Sequence, residues 1–242
     1  MNFHFRPATL AERKSFYEKE FSLKKAMSWF GNKKPQLIAI DAGTDTKTIK
    51  NKSWSNILFY CYLEEIEEKI KKYIPEDIYY DRNIYKRPEL RFNNLNHYNF
   101  LSDSNVIGQE LIFDVDANNI LCNHPKNQLV CNSCLQKMWQ ETKKLSAELK
   151  NKLGFKRIKI VYSGKGFHVH VQDKSAYSLT KQERINITRK LNHYPIDSWV
   201  SNGNIELVRF PFSLNAQVSR VAIPIKKTFN PKETIPKFIK NK

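Results

Sequence analysis

The apolar positions of this chain follow two periods, and the switches between them mark its elements. Gln36 to Asp41 (QLIAID) is a short β-forming run closed by a turn at Gly43. Leu63, Ile66, Ile70 and Ile74 recur at helical spacing with Glu and Lys between them, and Pro75 stops that helix. Glu110 to Asp116 returns to a strand. From Leu135 to Leu153 the pattern is helical again, with Leu135, Met138, Trp139, Leu145 and Leu149 as the buried side and Gly154 as its C′ residue. Arg157 to Tyr162 and Phe167 to Val171 read as strands around the turn Ser163–Gly166. Thr9 with Glu12, and Thr180 with Glu183, are capping boxes, opening helices to about Phe21 and about Asn192. Strands are expected again over Ile205–Arg209 and Ser219–Ile225. Residues 81–105 read as loop with room for one short strand, and 118–134 as loop. This order argues for one α+β domain over residues 1–225, followed by a lysine-rich tail at 226–242 that is mobile, cationic or both.

The strand Glu110-Leu-Ile-Phe-Asp-Val-Asp-Ala117 carries the first candidate chemistry. Alternate residues of a strand share a face, so Asp114 and Asp116 project together while Leu111, Phe113 and Val115 face the other way. Two adjacent carboxylates repel, and a divalent cation relieves the repulsion. Such hard oxygen pairs suit Mg²⁺ or Mn²⁺ shared with a substrate phosphate. Asp-x-Asp alone is equally a solvated strand end; the rest of the chain shifts the balance.

Lys and Arg number 41 against 24 Asp and Glu, a net charge of +17 that favours a polyanionic partner. No apolar run approaches a membrane span, and the amino terminus has no secretory core, so nucleic acid is favoured over a membrane. Cys61, alone among apolar residues, reads as an inert core thiol. The other three cysteines are clustered, which fits a metal site in a reducing cytoplasm better than a disulfide framework.

Cys122, His124, Cys131 and Cys134 form a Cys₃His set with a C-x-x-C half, the donor set of a closed tetrahedral Zn²⁺ site. With four protein ligands the zinc would be structural. Ser163-Gly-Lys-Gly-Phe-His168 joins two strands; Gly164 and Gly166 let backbone N–H groups approach an anion, with Ser163, Lys165 and His168 as further contacts. By itself this is also an ordinary glycine-rich hairpin. Asp197 is a candidate third carboxylate or a simple cap after Pro195. Arg209 is a candidate triphosphate contact, being permanently charged and able to bond twice, or a plain surface cation.

Taken together, these blocks resemble the small catalytic subunit of the archaeal–eukaryotic replicative DNA primase. ELIFDVDA resembles the family's metal-binding Asp-x-Asp strand, and the C-x-H…C-x-x-C element follows it directly. VYSGKGFHVHV resembles the Ser-Gly-Arg-x-x-His nucleotide block. DSWVSNGNIELVRFPFSLNAQVSRVAIPI resembles the segment with the third Asp, a basic residue and Pro-x-Ser, and the early RKSFYEKEF resembles the family's start. The ordered set covers most of residues 10–225.

The resemblance implies a primase-type domain in which a mixed, mainly antiparallel sheet carries the carboxylates, with flanking helices and a small zinc-knuckle insertion at 118–135. It implies primer synthesis, with Asp114, Asp116 and Asp197 on catalytic Mg²⁺ or Mn²⁺. Ser163, Gly164, Lys165, His168, Arg209 and Asn215 would hold the nucleotide, and Cys122, His124, Cys131 and Cys134 structural Zn²⁺. The implied partners are a single-stranded DNA template, nucleoside triphosphates and a large, iron–sulfur subunit in a heterodimer. The implied location is the cytoplasm, or the nucleus in a eukaryote. Lys165 and Asn215 stand where the family has Arg and His, and Gln36 where it has an early Arg. The helical subdomain that many relatives insert between His168 and Asp197 is missing. Two alternatives use the same residues: a primase–polymerase of repair or plasmid replication, and a non-catalytic zinc-bearing nucleic-acid binder.

Overall fold

The computed structural model describes residues 5–45, 57–92, 101–102, 104–122 and 129–240. Numbered along the chain, the described strands are β1 Leu37–Asp41, β2 Leu58–Tyr62, β3 Asp77–Asp81, β4 Asn83–Tyr85, β5 Val106–Gln109 and β6 Leu111–Val115. They continue with β7 Ile158–Tyr162, β8 Phe167–Val171, β9 Leu207–Arg209, β10 Leu214–Asn215, β11 Arg220–Val221 and β12 Ile223–Ile225. The expected sheet is divided in two: one sheet runs β2-β1-β3-β9, the other β12-β7-β8-β6. Two-stranded pairs β4-β5 and β10-β11 complete the set, and every ladder among the described residues is antiparallel.

The alternation read from the sequence decides how these layers pack. Leu111, Phe113 and Val115 of β6, with Phe167, Val169 and Val171 of β8, bury against Leu135, Met138, Leu145 and Leu149 of the helix Asn132–Asn151. Each such side chain, fully buried, contributes about 1.5–3 kcal/mol. From the opposite face, Ile112 and Val161 meet Ile38, Ile40, Ile78, Tyr80, Val208 and Phe210 of the first sheet. The two sheets therefore pack face to face, and Asp114, on the same side of β6 as Ile112, points into the seam between them.

The expected helix near the amino terminus spans Leu10–Lys19 with the Thr9–Glu12 capping box formed, and the Thr180–Glu183 box opens Lys181–Lys190. Leu23–Phe30 is an additional helix; Ala26, Trp29 and Phe30 join the inter-sheet core from it. Within residues 227–240, two points dock on the domain. Phe229 packs on Trp139, Tyr162 and Phe167, and the backbone N–H of Lys237 donates to the Glu20 carboxylate at 3.0 Å. No described helix is long and apolar enough to cross a membrane.

Candidate active site and thiol cluster

Three of the expected carboxylates converge. Asp114 lies in β6; Asp116 lies just beyond it and caps the turn Ala117–Asn119, accepting from the Asn118 N–H at 2.9 Å. Asp197 arrives from a distant part of the chain. Its backbone N–H donates to the Asp114 carbonyl at 2.8 Å, and Ile196 bridges to Val115. Its carboxylate caps the short helix Ser198–Ser201, accepting from the Trp199 and Val200 N–H groups at 2.8 and 3.4 Å. It is therefore both a helix cap and a member of the cluster.

Burial pushes the Asp114 carboxyl well above the usual carboxylate range, and the nearby Asp116 and Asp197 charges add to the shift; Lys165 and Arg82 oppose it. Its Oδ1 has no hydrogen-bond partner. His168 lies opposite Asp114 in the β6–β8 ladder, with Nε2 3.6 Å from that same oxygen. Burial, followed by His170, Arg209 and Arg82, holds His168 well below the ordinary imidazole value, so its ring is neutral. Its Nδ1 is also unpartnered, as is Oδ1 of Asn215. Buried polar atoms left unpaired are costly. Asp114, His168 and Asn215, three residues expected in the site, each carry one.

The turn between β7 and β8 reaches the same place, and its glycines are required by close approach. A Cβ on Gly166 would collide with the Val115 carbonyl oxygen, and one on Gly164, whose φ is +108°, with Asn215. The turn thus lies directly on the carboxylate strand. Ser163 and Gly166 close it through N–H to O at 2.9 Å, the Ser163 hydroxyl accepts from Gly166 N–H at 3.3 Å, and Asn215 Nδ2 donates to the Ser163 carbonyl at 3.1 Å. Tyr162 donates its hydroxyl proton to the Gly164 carbonyl.

Arg209 differs from expectation. It is buried and paired with Asp77, and its guanidinium lies 4.7 Å from the Tyr79 ring centroid. Neither the surface cation nor a freely projecting phosphate contact describes it, because β9 pairs with β3 and sets Arg209 opposite Tyr79 inside the sheet. Gln36 joins its own side chain to the Tyr85 backbone, accepting at 2.6 Å and donating at 3.0 Å.

One residue that the sequence reading passed over positions the site. Arg82 is buried and donates to the carbonyls of Ile205 at 2.8 Å, Val200 at 2.6 Å and Glu110 at 3.4 Å. It ties the start of the carboxylate strand to the helix that Asp197 caps. Its Asp-Arg-Asn surroundings read as loop, so no local signal marked it. A second buried group sits behind the site: Tyr80 donates to Glu110 at 2.8 Å, and His170 Nδ1 is 3.2 Å from the same carboxylate.

The sulfur atoms of Cys122, Cys131 and Cys134 lie within 4.8 Å of one another, with Cys131 Sγ 3.4 Å from each of the others. Three thiols at this separation, one of them accepting from the Cys134 backbone N–H, fit a soft tetrahedral cation such as Zn²⁺. Burial opposes ionisation of Cys131, but hydrogen bonds from Cys134 and Cys122 outweigh it and hold that thiol below its ordinary value. The fourth expected ligand, His124, lies outside the described residues.

Asp114, with Asp116 and Asp197 near it, thus sits in the seam between the two sheets, beside the glycine turn. Sequence comparison places the chain in a family. A model of the family described as DNA primase small subunit matches residues 113–195. An uncharacterized DNA primase small subunit-like protein of Archaeoglobus fulgidus is 33% identical over 264 residues, covering 97% of this chain and 91% of that protein. The DNA primase small subunit PriS of Thermococcus sibiricus is 28% identical over 195 residues, and that of Pyrococcus abyssi 27% over 183; both alignments cover 74% of this chain and 48% of the relative. The chain belongs to the DNA primase small subunit family. It matches the first relative over nearly its full length and the two PriS proteins over about half of theirs.

Proposed function

We propose that the chain is a DNA primase catalytic subunit, making short primers on a single-stranded template from nucleoside triphosphates by metal-assisted nucleotidyl transfer. The observation that carries the reading is the buried Asp114 carboxylate, its Oδ1 unpartnered, close enough to Asp116 and Asp197 that both charges raise its pKa. The family membership and the charge of +17 support it.

The donor set fits the expected cation. Three carboxylates offer only hard oxygens, the preference of Mg²⁺ and Mn²⁺, and burial with the Asp116 and Asp197 charges pushes the Asp114 carboxyl well above the usual carboxylate range. Asp114, Asp116 and Asp197 would hold such an ion, which would supply positive charge against a primer 3′-hydroxyl and the leaving pyrophosphate. The chain's own groups do the rest. Lys165 offers an ammonium to the phosphates, and neutral His168 donates a ring N–H to a phosphate oxygen. Asn215 keeps the turn Ser163–Gly166 in place. Arg209, steadied by Asp77, adds positive potential behind His168.

Starting a primer needs two nucleotides held side by side, and the chain has one evident triphosphate site. The isolated chain is therefore proposed to extend primers well and to start them poorly, with a large iron–sulfur subunit supplying the second set of contacts. Labelled-nucleotide synthesis on single-stranded DNA, with and without an annealed primer, tests this. Extension without efficient initiation is expected. Efficient initiation by the chain alone would favour the primase–polymerase reading, and no incorporation under either condition would favour a non-catalytic binder.

A further inference from the structure

A cleft of about 450 Å³ opens at the end of β6 and β8 remote from the carboxylates. Register fixes the separation: Asp114 pairs with His168 and Leu111 with Val171, whereas Glu110 and Gln172, at the opposite strand ends, line the cleft. At roughly 3.3 Å per residue, Gln172 is about 20 Å along β8 from the turn at Gly166. The buried group of Tyr80, Glu110 and His170 stands between the two places.

The lining combines aromatic walls, Trp29 and Tyr177, with three ammonium groups, Lys33, Lys34 and Lys174. None of the three makes an ion pair among the described residues. Lys33 donates to the Gln172 carbonyl at 3.0 Å and sits 3.8 Å from the Tyr177 ring centroid. Burial, then the proximity of Arg157, depresses its pKa; Lys174 acts in the same sense, and Glu110 and Asp173 oppose them. The indole N–H of Trp29 is buried without an acceptor. Lysines in excess over the Asp81 and Glu110 carboxylates of the same lining, beside flat aromatic walls, suit a planar ring that carries an anionic group. The volume lies within the range of about 300–1,000 Å³ usual for small-ligand pockets.

We propose that this cleft binds a nucleoside phosphate, separately from any nucleotide at the carboxylates, with the base against Trp29 and Tyr177 and the phosphates on Lys33, Lys34 and Lys174. Its ligation needs no divalent cation, which distinguishes it from the carboxylate site.

The test is a titration of the full chain with mant-ATP in EDTA, followed by fluorescence anisotropy. One saturable event is expected, retained in Asp114→Asn. It is weakened about tenfold or more when Lys34 and Lys174, both exposed, are changed together to Glu. Tyr177→Leu, checked by its melting temperature, should also weaken it. Unlabelled ATP should displace the probe, while adenosine or tripolyphosphate at the same concentration should not. Absence of saturable binding in EDTA would overturn the proposal, as would binding that both variants leave within about twofold of wild type. Displacement by an oligodeoxynucleotide but not by ATP would make the cleft a strand track and overturn it equally.

Discussion

The backbone N–H of Asp197 donates to the carbonyl oxygen of Asp114 at 2.8 Å. The two carboxylates are thus brought together by main chain, and neither side chain is needed to keep the other in place. Asp114→Asn should therefore leave the fold intact while lowering nucleotide incorporation by about a hundredfold or more. In metal-free buffer its melting temperature should equal or exceed that of wild type, because a buried, repelled carboxyl has been neutralised. A fall of several degrees would make Asp114 a structural partner instead.

Asp197 separates structure from chemistry by itself. It caps Ser198–Ser201, and replacing such a cap with Ala costs about 1 kcal/mol, whereas Asn caps nearly as well. Asp197→Asn should keep the melting temperature yet lose incorporation, and Asp197→Ala should lose both. Full activity in Asp197→Asn would show that the residue is a cap and nothing more.

For the thiol cluster, about one Zn²⁺ per chain is expected from elemental analysis. Cys131 touches both other sulfurs, so Cys131→Ser should release the metal and expose the start of the helix Asn132–Asn151 to proteolysis. Protein purified without chelator and free of zinc would contradict the assignment.

Arg209→Ala should destabilise the fold by about 3–5 kcal/mol, since it strands a buried Asp77. Adding Asp77→Asn should recover part of the loss. Denaturant melts of the single and double variants read both effects; additive losses would mean that the ion pair is not what Arg209 provides.

The pH dependence of stability has a marker in Asp81. Burial lifts its carboxyl to about 7, against hydrogen bonds from the Asn83 N–H and Tyr85 hydroxyl that act the other way. The folded state then holds one more proton than the unfolded chain between the ordinary Asp value, near 4, and about pH 7. This contribution is fully present at low pH and is lost as the pH rises through that window. Asp81→Asn should stabilise more at pH 8 than at pH 5. An equal change at both pH values would refute the shift.

Much of the fold was legible because burial and period coincide. The β6 alternation put Leu111, Phe113 and Val115 on the helix and Asp114 on the other side. Both capping boxes opened helices. The helix Leu23–Phe30 and the strand Asp77–Asp81 were missed. The first buries only Ala26, Trp29 and Phe30, too short a stripe to announce itself, and the second reads as polar because both ends are Asp, although Asp77 is buried against the distant Arg209 and Asp81 accepts from Asn83 and Tyr85. Of the expected site residues, Asp116, Asp197 and His168 lie near Asp114, and the Ser163–Gly166 turn lies against its strand. What sequence could not give was Arg209's partner, Arg82's bracing contacts or the docking of Phe229, since each depends on contacts between distant segments.

The central claim is that the triad of Asp114, Asp116 and Asp197 drives nucleotidyl transfer. Its most direct test is Mn²⁺-dependent incorporation of a labelled nucleotide opposite a single-stranded template, by wild type and by Asp116→Ala matched for zinc content and melting temperature. The account predicts template-directed incorporation by wild type and none by the variant. Incorporation by Asp116→Ala within tenfold of wild type would contradict it.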